Sequence, residues 1–225
     1  GDSLFNFFYR EFFTAVNEIS YEKEVFNFKP QYEVTEEFLK TFDIKEFLNT
    51  AKKKNYSHYQ YLALFYFMYI ARTDYGNVEN FHNLKELTFE YHNKLSKLEK
   101  FNVWTALINA INGGLRFKDT KYIREAFELN KFFLGLNILP LERGGYFYTS
   151  KFENIFTVAI TCKEFDFAEK FAEENYNKLS PEEKENTLCL CRAIIQFYKK
   201  NYDESLKNLN KVELSDVILK MRVRM

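Results

Sequence analysis

Histidines, cysteines and neighbouring carboxylates are the side chains of this sequence able to bind a metal, attack a substrate or move a proton, and each set fails on spacing. A metal-binding pair on a helix needs donors one turn apart. The three histidines, His58, His82 and His92, do not stand at that spacing from one another, and each reads as a partly exposed helix residue. Cys189 and Cys191 lie two apart, which on a helix turns their side chains roughly 200° from each other, so they make no chelating pair. Cys162 is placed to approach either of them across a hairpin interface, but all three read as small apolar filler. An odd total of three cysteines gives no disulfide framework and favours a reducing compartment, so a cytoplasmic setting is expected.

The adjacent acids Glu36-Glu37, Glu173-Glu174 and Glu182-Glu183 do not face a common point on a helix, which removes the basis for two-carboxylate catalysis. They read as first-turn and surface charge. No serine sits in a nucleophile-elbow context, and Gly113-Gly114 is not followed by the Gly-Lys-Ser/Thr of a phosphate loop. No catalytic residue, metal or cofactor is therefore expected, and the chain is not read as an enzyme. Lys52-Lys53-Lys54 reads as a solvated helix end favoured by the helix dipole, and Trp104 as core at a hairpin start.

What positions these residues is helix. Seven Gly and three Pro in 225 residues are too few turn formers for a sandwich of many short strands, so the class is all-α. Thirty-two acidic and thirty-two basic residues balance, which argues against strong nonspecific attraction to nucleic acid or an anionic membrane. The longest apolar run, Tyr59 to Ile70, falls well short of the roughly 20 residues that span a bilayer and reads as a buried helix.

An opening helix carries Phe5, Phe8, Phe12, Val16 and Ile19 on one face, and Tyr21 to Gln31 reads as a linker. Two short helices split near Asp43 fill Thr35 to Lys53. From there the pattern is one of hairpins. Ser57 and Gln60 are expected to cap an aromatic helix reaching Arg72; Val78 to Leu95 returns with Phe81, Leu84, Leu87, Tyr91 and Leu95 inward. Leu98 to Phe117 carries Val103, Leu107 and Ala110, runs through Gly113-Gly114 as a close-packed or slightly bent spot, and returns with Tyr122, Ala126, Leu129 and Phe133. After a linker from Leu139 to Gly145, Phe152, Ile155, Phe156, Ala159 and Ile160 make one stripe, with Ser150 and Glu153 as a capping box. Phe165, Ala168, Ala172, Tyr176 and Leu179 fold back on it. Ser180-Pro181-Glu182-Glu183 then reads as a helix start. The helix that follows is apolar over more than half its girth, through Leu188, Cys191, Ile195 and Tyr198 on one row and Leu190, Ile194 and Phe197 on another, so it should be covered on two sides. Tyr202, Ser205, Leu206, Leu209 and Val212 return. Leu214 to Met225 looks like the first helix of a further hairpin, so the chain is expected to be a piece of a longer protein or to be completed by another molecule, self-association through this helix included.

Aligned by hairpin, Phe165-Asp166-Phe167-Ala168-Glu169 lies over Tyr202-Asp203-Glu204-Ser205-Leu206, with aromatic, acid and small residue in phase. With Ala193 as the small residue of the preceding helix and Leu209 and Val212 at later apolar places, the stretch Ser150 to Val212 resembles the tetratricopeptide family. Tyr122 to Leu129, Asn154-Ile155, Glu164 to Glu169 and Pro181 to Asn186 are similar to bacterial proteins of this helical-repeat type. The resemblance implies an α-solenoid of antiparallel helical hairpins, a right-handed stack forming a single repeat domain over 1–225. Irregular helices fill 1–55, and about four hairpins plus a terminal helix fill 56–225. It implies a non-catalytic scaffold whose first helices line a groove for a protein or peptide, with Glu153, Thr157, Leu190 and Ile194 at groove positions; plain core is the other reading of the aliphatic pair. The rival is a nucleic-acid-binding or regulatory repeat using Lys199, Lys200, Lys207, Lys211, Lys220, Arg222 and Arg224.

Overall fold

The structure is a computed structural model that describes residues 2–26, 33–139, 141 and 144–213. Among them every regular element is helical, apart from a single antiparallel bridge between Leu141 and Phe147. None of these helices is long and apolar enough to cross a membrane. The chain divides into two compact units, Gly1–Tyr122 and Ile123–Met225.

In the first unit α4 (Tyr59–Thr73) lies at the centre, with α1 (Asp2–Phe26), α3 (Ile44–Lys53), α5 (Val78–Tyr91) and α6 (Lys97–Ala110) packed against it. Its composition explains the place: Leu62, Ala63, Leu64, Phe65, Met68 and Ala71 are buried, a spread around the helix that only several neighbours can cover. The short α2 (Glu33–Thr41) and α3 are split as expected, because the Asp43 carboxylate accepts the Glu46 amide at 2.8 Å and starts a new helix. Phe81, Leu84, Leu87 and Leu95 are buried as expected, while Tyr91 is half-buried.

Two assignments in this unit are corrected. α1 continues through the first part of the expected linker as far as Phe26, and residues 27–32 lie outside those described. It buries Tyr9, Phe13 and Val16, whereas Phe5 and Phe8 are exposed; Ile19 lies outside the described side chains. Aromatic residues surround this helix at 5, 7, 8, 9, 12 and 13, so periodicity alone does not choose the inward side. Neither Ser57 nor Gln60 caps α4. His58 holds the cap position without a side-chain bond, and the Gln60 amide donates to Glu90 at 3.4 Å. The capping box of this unit stands at α6, where the Ser96 amide donates to Glu99 at 2.8 Å and the Glu99 amide to Ser96 Oγ at 3.3 Å. The other Glu99 oxygen accepts the Tyr61 hydroxyl at 3.0 Å, which joins that cap to α4. Trp104 sits in the middle of α6, 4 % exposed, as core.

Helical backbone does run through Gly113-Gly114, as a π turn over Ile111–Leu115 that leads into α7 (Arg116–Lys118). A Cβ on Gly114 would lie 2.6 Å from the Gly76 nitrogen, and one on Gly113 would lie 2.8 Å from the Tyr75 ring. These glycines let the π turn touch the α4–α5 turn, where Gly76 has φ +88°.

α8 (Lys121–Gly135) straddles the division and buries Tyr122, Ala126, Leu129 and Phe133. In the second unit α9 (Thr149–Thr161) packs on α10 (Phe165–Asn175), α10 on α11 (Lys184–Tyr198), and α11 on both α9 and α12 (Tyr202–Leu209). The α9 stripe Phe152, Ile155, Phe156, Ala159 and Ile160 is buried throughout. Both expected caps are rearranged around one carboxylate: Glu183 accepts the Thr149 hydroxyl at 2.7 Å and the Ser180 hydroxyl at 2.9 Å. Accordingly α9 begins at Thr149 with no side-chain cap, Ser150 and Glu153 form no box, and α11 begins at Lys184 after a turn through Pro181. α11 is covered by α9, α10 and α12, but its second apolar row and its last turn are not fully closed. Leu188, Cys191, Ala193 and Ile195 are buried, Leu190 and Ile194 half-buried, and Phe197 and Tyr198 exposed. On α12 the buried residues are Ser205, whose hydroxyl reaches the Ala193 carbonyl at 2.8 Å, and Asn208, while Tyr202 and Leu206 are exposed. The expected terminal helix from Leu214 to Met225 lies outside the described residues.

Candidate functional site

Side chains with catalytic or ligating chemistry are scattered. His58 is exposed at the start of α4, His82 stacks its ring edge-on against Phe81, and His92 Nδ1 lies 2.9 Å from the Phe89 carbonyl. His82 stands one turn from Glu86 on α5, but among the described residues no group of three or more His, Cys, Asp or Glu is placed to hold a metal ion. The three cysteines are free. Cys162 Sγ faces the Ile123 carbonyl at 3.6 Å rather than either partner on α11. Burial pushes the Cys191 thiol up, with the charges of Glu153 and Glu173 adding to it, so it stays a thiol and not a nucleophile.

That last effect also places Glu153 of α9 within electrostatic reach of α11. Of the four expected groove residues, Thr157 is exposed and Glu153, Leu190 and Ile194 are half-buried. They lie on two helices that pack together, and the aliphatic pair is not closed into the core. Two exposed ion pairs bridge the neighbouring α10–α11 seam: Arg192 bonds both oxygens of Glu173 at 2.8 and 2.9 Å, and Lys199 reaches Glu169 at 2.6 Å. Of the lysines expected to form a basic face, Lys199 is thus paired, Lys207 lies 3.3 Å from Glu204, and Lys200 and Lys211 are exposed. Lys220, Arg222 and Arg224 lie outside the described residues.

A second surface, in the first unit, was not anticipated. A cleft of about 570 Å³ opens over α3, α4 and α5. Lys45, Asn49 and Lys52 follow one another by a turn on α3, and Glu79, Asn83, Glu86 and Glu90 do the same on α5, so each helix gives the cleft a single polar stripe. Tyr59, Tyr66 and Phe67 of α4 add aromatic area to its lining beside Gln60, and Lys52 Nζ stands 5.9 Å from the centre of the Tyr59 ring. The spacings were legible in the sequence; what was not is that α3 and α5 flank the same side of α4. Compared with protein-family models, with curated proteins and with solved structures, the chain matches none.

Proposed function

We propose that this chain is a non-catalytic helical-repeat scaffold of the tetratricopeptide-like type, a solenoid of hairpins that holds a protein or peptide segment on the face carrying Glu153, Thr157, Leu190 and Ile194. The observation that carries the reading is a repeated hairpin closure. α9 and α11 end alike: Lys163 and Lys200 are left-handed, at φ 61° and 64°. The next amide reaches back in the same way, Glu164 to the Ala159 carbonyl and Asn201 to the Gln196 carbonyl, each at 2.9 Å. Phe165 and Tyr202 then open the returning helices, and Ala168 and Ser205 are their buried small residues. Such a unit buries its apolar side against the next one, and its first helices keep a face open to a partner. The free cysteines fit the cytoplasmic setting that belongs to this reading.

The test is selection of a random peptide library on the intact protein. Peptides are expected whose affinity falls at least about tenfold in Ile194→Lys and Thr157→Arg, a loss of the size expected for a disrupted anchor. Enrichment indifferent to both substitutions overturns the placement of the site. For the nucleic-acid alternative, pairing of Lys199 and Lys207 with acids reduces the free positive charge. A single-stranded oligonucleotide should therefore bind weakly, with a salt slope near zero; a steep slope reverses the order of the two readings.

A further inference from the structure

The cleft over α3, α4 and α5 has opposite charges on two of its sides, the lysines Lys45 and Lys52 on α3 and the glutamates Glu79, Glu86 and Glu90 on α5. All five sit at the rim of a half-open space instead of pairing across it: among the described residues none of them forms an ion pair with another. In the middle of each stripe stands a carboxamide, Asn49 on α3 and Asn83 on α5, and neither side chain holds a hydrogen bond within the described chain. A carboxamide offers a donor and an acceptor side by side, the complement of a peptide unit. This chain already uses that match once: Asn186 of α11 accepts the Glu213 amide at 2.7 Å and donates to the Glu213 carbonyl at 3.1 Å, clasping a stretch of non-helical backbone.

We propose that this cleft binds an extended segment of a partner protein, with Asn49 and Asn83 taking its backbone, an acidic side chain directed to Lys45 and Lys52, and a basic side chain directed to Glu79, Glu86 and Glu90. Lys45 and Lys52 are separated by roughly 10 Å of helix rise, the length of about three extended residues. The cleft volume lies within the range of about 300–1,000 Å³ usual for ligand sites. The aromatic side chains Tyr59, Tyr66 and Phe67 supply apolar area for a side chain turned inward. A segment of a single sign gains at one side what it loses at the other, so the cleft selects for mixed charge and not for net charge. The assignment rests on reading the chain as a binder of protein segments, but uses a different surface from the face of α9 and α11.

The test uses the full 225-residue chain and a phage-displayed library of random heptapeptides, followed by affinity measurement on the enriched peptides. Enriched peptides that bind Ile194→Lys as well as they bind the unaltered chain should carry both signs of charge. Their affinity should fall at least about tenfold in the double variant Asn49→Ala/Asn83→Ala and in Glu86→Lys, the size expected for losing a charged or bidentate hydrogen bond. Exchanging the peptide's basic residue for glutamate should restore binding to Glu86→Lys, a rescue that a folding defect cannot produce. Enrichment of peptides of one sign, an unchanged affinity in the cleft variants, or no enrichment overturns the proposal. If affinity instead falls only in Ile194→Lys, the cleft is excluded while the binding face on α9 and α11 stands.

Discussion

Tyr9 and Lys151 are polar side chains set where the fold offers them little. Tyr9 is 5 % exposed and packs its ring against Phe13 at 4.7 Å, yet its hydroxyl is buried without a hydrogen-bond partner. Burial, with the nearby Tyr66 adding to it, pushes its ionisation far above the ordinary tyrosine value. Removing only the hydroxyl keeps the ring contacts and ends the desolvation cost, so Tyr9→Phe should raise stability by about 1 kcal/mol in urea unfolding. Lys151 is half-buried in the first turn of α9, and burial lowers its ammonium below the usual range. Its folded form holds the proton less tightly than the unfolded chain does, so burial of the ammonium destabilises the fold in full below the lowered folded pKa, and the penalty fades as pH rises from there to the unfolded one. Lys151→Met should therefore stabilise the protein at neutral pH, and the advantage should shrink as pH rises towards 10.5, the unfolded value. A constant difference across that range would refute the burial argument. Sequence could place both residues on helices, but their environment depends on which other helices cover them.

At the scale of the element, backbone conformation decides where glycine is needed and where it is missing. Gly114 touches the Gly76 backbone, which cannot yield as a side chain can, so Gly114→Ala should cost about 3 kcal/mol in chemical denaturation. Gly113→Ala meets only the Tyr75 ring and should cost about 1 kcal/mol, mostly through what a small shift of that ring releases. The reverse substitution belongs at the helix ends. Lys200 is left-handed, a conformation that opposes its Cβ, and its side chain is exposed, so Lys200→Gly should gain about 1 kcal/mol. Helix stripes such as Phe152 to Ile160 were legible because each core position recurs at the helical period. Helix starts were less so. The hydroxyl groups of Thr149 and Ser180 converge on Glu183, a tertiary arrangement that takes the place of the Ser150–Glu153 box and the Ser180 cap read from the sequence.

Across the whole molecule, the all-helical class was readable from composition and period, while the cleft was not, because no local pattern says which side of α4 will be flanked by both α3 and α5. Nor did composition say which of the abundant aromatics stay outside. Phe7, Phe8 and Leu4 of α1 and Phe197, Tyr202 and Leu206 near the end of the described chain are more than half exposed. Exposed apolar area promotes association, and net charge opposes it. Here the acidic and basic residues cancel, so no net charge opposes that attraction. Self-association measured by light scattering should accordingly change little with added salt at neutral pH, and should fall in Phe8→Lys/Phe197→Lys, which removes apolar area and adds charge of one sign. Adding salt should restore part of the association of that variant, since screening removes the repulsion and leaves the remaining apolar attraction. Association of the unaltered chain that instead drops steeply with salt would mean that paired charges rather than exposed apolar side chains hold the contact.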